Sequence, residues 1–149
     1  MNLVIIFGAS YLYLVILVIS LVVFLYLSKP KKLSFLKLLI PTSITAYVLA
    51  KLAGLFIHSP RPFIIENIKP LIHATTDNGF PSDHTLLSMV LALVVLAFNR
   101  KVGTVLILLA IIVGITRVLA HAHHIGDIVG SITIAILATY TFYKVLKKM

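Results

Sequence analysis

Long apolar runs separated by short polar stretches set the pattern of this chain. Leu3 to Leu27 passes without a charge, long enough to cross about 30 Å of hydrocarbon as a tilted helix. A second run extends from Leu33 to about His58, with Lys37 near its start, Lys51 inside it and Pro41 placed to kink its first turns. A third, Ser82 to Phe98, is short. Val102 to Ala120 and Ile125 to about Val145 follow. Between the second and third runs, Pro60, Pro62, Pro70 and Pro81 break up the stretch "SPRPFIIENIKPLIHATTDNGFPS". It reads as a loop with one short amphipathic helix near Phe63 to Lys69. The pattern predicts an all-α fold: a polytopic membrane helix bundle of about five transmembrane helices plus a short interfacial helix. Residues 1–149 form one domain in this reading.

Composition agrees. The chain is 60% hydrophobic and 11% charged, with a mean hydropathy of +1.12. A soluble domain has about half its residues apolar and about a quarter charged. Cysteine is absent, which removes disulfides, thiolate nucleophiles and zinc–cysteine sites. The first run has no basic leader and no A-x-A cleavage site, and it is too long for a signal-peptide core. It is expected to be a retained helix.

The net charge of +9 would fit nucleic acid only with a soluble basic face, which this chain lacks. Membrane topology accounts for it instead. Lys29, Lys31, Lys32, Lys37, Arg100, Lys101, Lys144, Lys147 and Lys148 fall in or beside the connections on one side. The positive-inside rule makes that side, and with it the C-terminus, cytoplasmic. The other side carries Lys51, Arg61, Lys69 and Arg117, all four acids (Glu66, Asp77, Asp83 and Asp127) and all six histidines. The extracytoplasmic face of a plasma-membrane protein is therefore where a site is expected.

Three stretches reach that face at helix ends: "HSPRPF", "FPSDHT" and "TRVLAHAHHIGD". They bring arginine, which suits bidentate phosphate recognition, and histidine, which can act as nucleophile or general acid near neutral pH. The start of the third run, Ser82 to His84, adds unpaired backbone N–H groups that favour an anion. Asp127 follows His123 by one helical turn, where it could accept from Nδ1–H and leave Nε2 free.

Taken one at a time, most of these residues have plainer readings. Ser82 or Asp83 alone would be an N-cap. Arg61 and Arg117 alone would be lipid-phosphate anchors. His58, His73, His121 and His124 read as interfacial or loop residues. It is the joint presence of Arg61, Ser82, His84, Arg117, His123 and Asp127 that points to a site.

Arg61-Pro62, Pro81-Ser82-Asp83-His84, and Thr116-Arg117 with His123 and Asp127 resemble the three motifs of the type-2 phosphatidic-acid phosphatase superfamily, K-x6-R-P, P-S-G-H and S-R-x5-H-x3-D. The form "FPSDHT" is similar to that of the undecaprenyl-diphosphate phosphatases of the bacitracin-resistance type. The resemblance implies a hydrolase acting on a lipid-linked diphosphate, with no metal and no cofactor. It implies His123 as nucleophile, Asp127 orienting it and His84 as general acid. Arg61, Arg117 and Ser82 would hold the phosphate. Three departures stand out. Gly54 occupies the family's lysine position, and Lys51, one turn deeper, is the substitute expected to reach the phosphate. Asp83 replaces glycine and is expected beside His84 or the substrate. Thr116 replaces serine. Members of the superfamily have six spans; five are counted here, with the missing one before the first. The expected partners are the lipid diphosphate substrate and membrane lipids, with no nucleic acid. Alternatives are a phosphatidate or phosphatidylglycerophosphate phosphatase, a metal-dependent hydrolase built on "HAHHIGD" with His84, and a non-enzymatic lipid-phosphate binding or transport protein. Nothing in the residues sets the oligomeric state.

Overall fold

The computed structural model describes residues 2–148, and among these every regular element is a helix: α1 (Asn2–Ser10), α2 (Leu12–Tyr26), α3 (Lys29–Phe56), α4 (Pro62–Ile65), α5 (Asp83–Phe98), α6 (Arg100–Leu119) and α7 (Ile125–Lys148). Three of them, α3, α6 and α7, are long and apolar enough to cross a membrane, and α1 with α2 make a fourth if the bent pair is one span. The chain is an integral membrane protein. The short third run is α5, whose 16 residues rise about 24 Å.

The first run is not one straight helix. α1 and α2 meet at Tyr11 with a 47° bend. Gly8 and Ser10 lie beside the break, and small residues of this kind are a common site of kinks. A Cβ on Gly8 would sit 2.6 Å from Cγ2 of Thr116, so glycine is what lets α1 lie directly on α6. By contrast, α3 runs through Pro41 without a break. It begins earlier than the apolar pattern indicates because Pro30 sits in its first turn, a position that needs no N–H donor. The interfacial helix is shorter than Phe63 to Lys69. It stops after Ile65, where Asn67 takes a positive φ of 52° and the approach to Pro70 disfavours helical backbone.

α5 is the central helix and packs against α2, α3, α6 and α7. Its Leu86, Met89, Val90, Val94 and Val95 are buried together with Ile16, Leu38, Leu106 and Val113. The facing helices contribute Ala46, Ala50, Ala110, Ala135 and Ala138. Such small side chains permit close helix approach where lipid supplies no hydrophobic drive. The outward side chains, among them Ile44, Leu108 and Ile136, are apolar and exposed, as a lipid-facing surface requires. A single residue, Asn99, turns the chain from α5 to α6, its Oδ1 accepting from the Val102 N–H at 3.1 Å.

This antiparallel order gathers the end of α3, the start of α5, the end of α6 and the start of α7 at one end of the bundle. Most of the basic residues lie at the other.

Candidate active site

Two arginines converge on one imidazole. Nη1 of Arg61 and Nη2 of Arg117 each lie 3.2 Å from Nε2 of His123. A guanidinium can only donate, so Nε2 must be the acceptor and the ring proton must sit on Nδ1. That proton faces the Gly79 carbonyl at 2.9 Å, and Oδ2 of Asp127 stands slightly farther off at 3.4 Å. Asp127 is therefore beside His123, as the i, i+4 spacing predicts, but the nearer acceptor is a backbone carbonyl from another part of the chain. Burial is the main cause that holds the His123 pKa below the usual histidine value. The bond to Asp127 opposes that shift, while Arg117 and Arg61 reinforce it.

The local fold explains the convergence. Arg117 projects from the last turn of α6, and His123 follows a tight turn in which His121 takes φ 59°. The long α3–α5 connection is bonded onto this turn: Phe63 N–H donates to the His121 carbonyl and Leu71 N–H to the Ala120 carbonyl. Arg61 reaches across as well, with Nη1 donating to the Ala122 carbonyl at 3.0 Å. The bend between α1 and α2 contributes too, because Nη1 of Arg117 donates to the Ala9 carbonyl at 3.3 Å. Nε of Arg117 is buried with no partner among the described residues, which leaves a donor beside the site unused.

Three residues from the proline-broken loop were not anticipated. Oδ1 of Asp77 accepts from Nε and Nη2 of Arg61 at 3.2 and 2.8 Å and from the Thr75 hydroxyl. The Thr75 bond, then the Arg61 bond, hold the Asp77 carboxyl below the usual carboxylate range. Gly79 supplies the carbonyl on His123. Asn78 uses both ends of its amide: Oδ1 accepts from the N–H groups of Ser59 and Phe80, and Nδ2 donates to the carbonyls of Gly54 and Ile57. It ties the loop to the open end of α3. The "DNG" in the sequence signals a turn, but the three-dimensional path of the loop decides what it touches.

A polar cavity of about 610 Å³ opens in front of His123, and Arg61, Arg117, His84, Lys51, Asp83 and Asp77 also line it. Asp127 and Ser82 do not. Both are buried behind it, at 1% and 0% exposure. Ser82 is the N-cap of α5, but its hydroxyl accepts from Thr85 at 3.1 Å, and its carbonyl accepts from Ser131. Asp83 lines the cavity beside His84. Its Oδ1 lies 3.5 Å from Nζ of Lys51, and the His84 ring packs edge-on against Tyr13. A side chain at position 54 is crowded, since a Cβ there would stand 3.0 Å from the Phe80 carbonyl oxygen and the loop would have to give by a few tenths of an ångström.

The histidines of "HAHHIGD" diverge. His121 faces Glu66, His123 faces the arginines, and His124 reaches the Pro60 carbonyl. Among the described residues no three His, Asp or Glu side chains are grouped to hold a metal ion.

A family model for the PAP2 superfamily matches residues 33–149, which takes in α3 from its second turn, all of α4 to α6, α7, and every residue of this site except those from the first two helices. The chain belongs to the PAP2 superfamily. Two curated proteins are similar to it in sequence. The undecaprenyl-diphosphatase BcrC of Bacillus subtilis (strain 168) is 32% identical over 103 residues, covering 69% of this chain and 53% of that protein. The bacitracin transport permease protein BcrC of Bacillus licheniformis is 31% identical over 102 residues, covering 67% and 50%. The chain spans about half the length of these curated relatives.

Proposed function

We propose that this protein is a membrane lipid phosphatase that converts a polyprenyl diphosphate, of undecaprenyl type, to the monophosphate through a phosphohistidine on His123. The observation that carries the reading is the His123 Nε2 acceptor held at 3.2 Å from two guanidinium groups. An anion entering the 610 Å³ cavity would take those donors from Nε2. The lone pair would then be free and aimed at the phosphorus. Support for the lipid diphosphate comes from PAP2 membership and from the name of the Bacillus subtilis relative.

The chemistry follows from the residues. Arg61, Arg117 and the first-turn N–H groups of α5 neutralise the terminal phosphoryl oxygens. Nε2 attacks in line, the P–N bond forms, and the bond from phosphorus to the bridging oxygen breaks. His84 donates a proton to that oxygen, and the lipid monophosphate leaves. His84 then takes a proton from water as the water attacks phosphorus, which breaks the P–N bond and releases phosphate. The Gly79 carbonyl keeps the Nδ1 proton in place, and Asp127 offsets the charge that develops on the ring. The positive charge comes from side chains and backbone, so the reaction needs no divalent metal and survives chelation.

The bundle is proposed to cross the membrane about five times, with α4 at the interface, the site on the extracytoplasmic face and the C-terminus in the cytoplasm. The excess of basic residues at the opposite end supports this orientation. The test is phosphate release by the purified protein from polyprenyl diphosphate, phosphatidate and phosphatidylglycerophosphate in parallel, with and without chelator. Release from the first in preference to the others supports the reading, and preference for a monoester would reassign the substrate. The name of the Bacillus licheniformis relative keeps one other reading in view, a lipid-phosphate binding or transport protein. It predicts binding with no release from any of the three.

A further inference from the structure

A second, almost wholly apolar cavity of about 380 Å³ lies between α3 and α5. Its walls are Ser43, Ala46 and Tyr47 on α3 and Leu86, Leu87 and Val90 on α5. Asp83 stands at its head and also lines the polar cavity, so the two spaces meet at that residue. The walls follow one face of each helix. On α5, positions 83, 86, 87 and 90 recur at helical spacing. On the antiparallel α3, positions 43, 46 and 47 lead up to Lys51, which pairs with Asp83 at 3.5 Å. From Asp83 to Val90 the groove descends about 10 Å along the helix axis.

We infer that this groove receives the first part of the substrate's apolar chain, and that the Lys51–Asp83 pair marks the level at which headgroup gives way to tail. The inference rests on the phosphatase reading above and specifies how its substrate is seated. The groove joins the polar cavity at its upper end only, as a molecule with one charged end and one apolar end requires. Leu87 and Tyr47 are part-exposed on the lipid-facing surface, so a chain enters sideways from the bilayer and does not have to thread the bundle. The ion pair is exposed on both sides and can yield to a phosphate without uncovering a buried charge. The depth suits only the units nearest the diphosphate, and the remainder of a long tail stays in lipid. The groove therefore selects on the shape of the chain next to the headgroup and not on its total length.

Filling the groove provides the test. Leu87→Trp blocks it from α5 and Ser43→Phe from α3, so failure of one variant to fold leaves the other. Leu108→Trp, on the exposed outer face of α6, is the control. The readout is the ratio of kcat/KM for a detergent-dispersed polyprenyl diphosphate to kcat/KM for a water-soluble phosphomonoester such as p-nitrophenyl phosphate. Loss of fit in an apolar pocket is worth about tenfold or more in kcat/KM. The expected result is a drop of that size in the ratio for a groove variant and no change for Leu108→Trp. An unchanged ratio in a folded groove variant means that the groove holds ordinary membrane lipid and overturns the inference. So does an equal fall for both substrates, which would show distortion of the site. Absence of hydrolysis of either substrate by the wild-type protein would overturn the phosphatase reading itself, a separate outcome.

Discussion

Asp127→Asn tests the division of labour around His123. Two groups face the Nδ1 proton, the Gly79 carbonyl at 2.9 Å and Asp127 Oδ2 at 3.4 Å. If the carbonyl fixes the tautomer, the Asn variant keeps Nε2 as the nucleophile and loses only the carboxylate charge. Asp127 also accepts from the His124 N–H at 2.9 Å, a bond that an amide oxygen can keep, so the turn survives. The magnitude follows from the charge. Unit charges about 4 Å apart interact by about 4 kcal/mol at an effective dielectric constant near 20. Each 1.36 kcal/mol is a factor of ten in rate, so the ceiling is about a thousandfold. Arg61 and Arg117 still stabilise the phosphoryl group, and the expected loss in kcat is about a hundredfold, with little change in KM. A pH profile adds a second readout. Only neutral His123 attacks, so activity falls as pH drops through its pKa. Burial places that limb below the ordinary 6.5, and Asp127 pulls it back up. Without the carboxylate, the acid limb of kcat/KM should move to still lower pH. A variant as inactive as His123→Ala would show that Gly79 does not hold the tautomer. Unchanged kcat with an unmoved limb would show that the Asp127 charge takes no part.

The remaining expectations concern the cavity rim and the topology. Lys51→Met should lower kcat/KM about ten- to a hundredfold, the size of one lost charged hydrogen bond. It should barely move Tm, because an exposed ion pair contributes about 0–1 kcal/mol; lowered Tm with unchanged kinetics would make the residue structural. Adding Gly54→Lys should restore only part of the activity, because a Cβ 3.0 Å from the Phe80 carbonyl oxygen displaces the loop that carries Asp77 and Gly79; full recovery in the double variant would refute the packing argument. Asp77→Ala should raise KM about fivefold by releasing Arg61, and Asp77→Asn should recover most of the loss; equal KM in wild type and Ala variant would leave Asp77 without a positioning role. Lys31→Cys should resist impermeant thiol reagents in intact cells while Thr76→Cys reacts, on a background free of native cysteine; the reverse labelling would put the site in the cytoplasm.

Much of this architecture was legible in the residues, for definite physical reasons. A continuous apolar run has few alternatives to a buried or membrane helix, so α3, α6 and α7 stand out. Helix ends at one level bring Arg61, Arg117 and His123 together whatever the exact packing. The break at Tyr11 was not legible. It goes with the close approach of Gly8 to Thr116, a contact between distant parts of the chain, and the apolar residues on both sides of it look alike. The inward turn of Ser82 is hidden for a similar reason: an N-cap serine that bonds Thr85 reads the same in sequence as one that faces a ligand. The partner of Asp83 was missed because Lys51 sits 32 positions earlier and meets it only across two packed helices. Gly79 could not be found from residue types at all, since its contribution to His123 is a backbone carbonyl.

The central claim is that His123 becomes covalently phosphorylated. The most direct measurement is mass spectrometry of the purified protein mixed with polyprenyl diphosphate and quenched in alkali, where a phosphoramidate persists. The account predicts a phosphoryl group on the peptide that carries His123, and loss of both the adduct and phosphate release in His123→Ala. Phosphate release that continues in His123→Ala, with no adduct trapped in the wild-type protein, would contradict it.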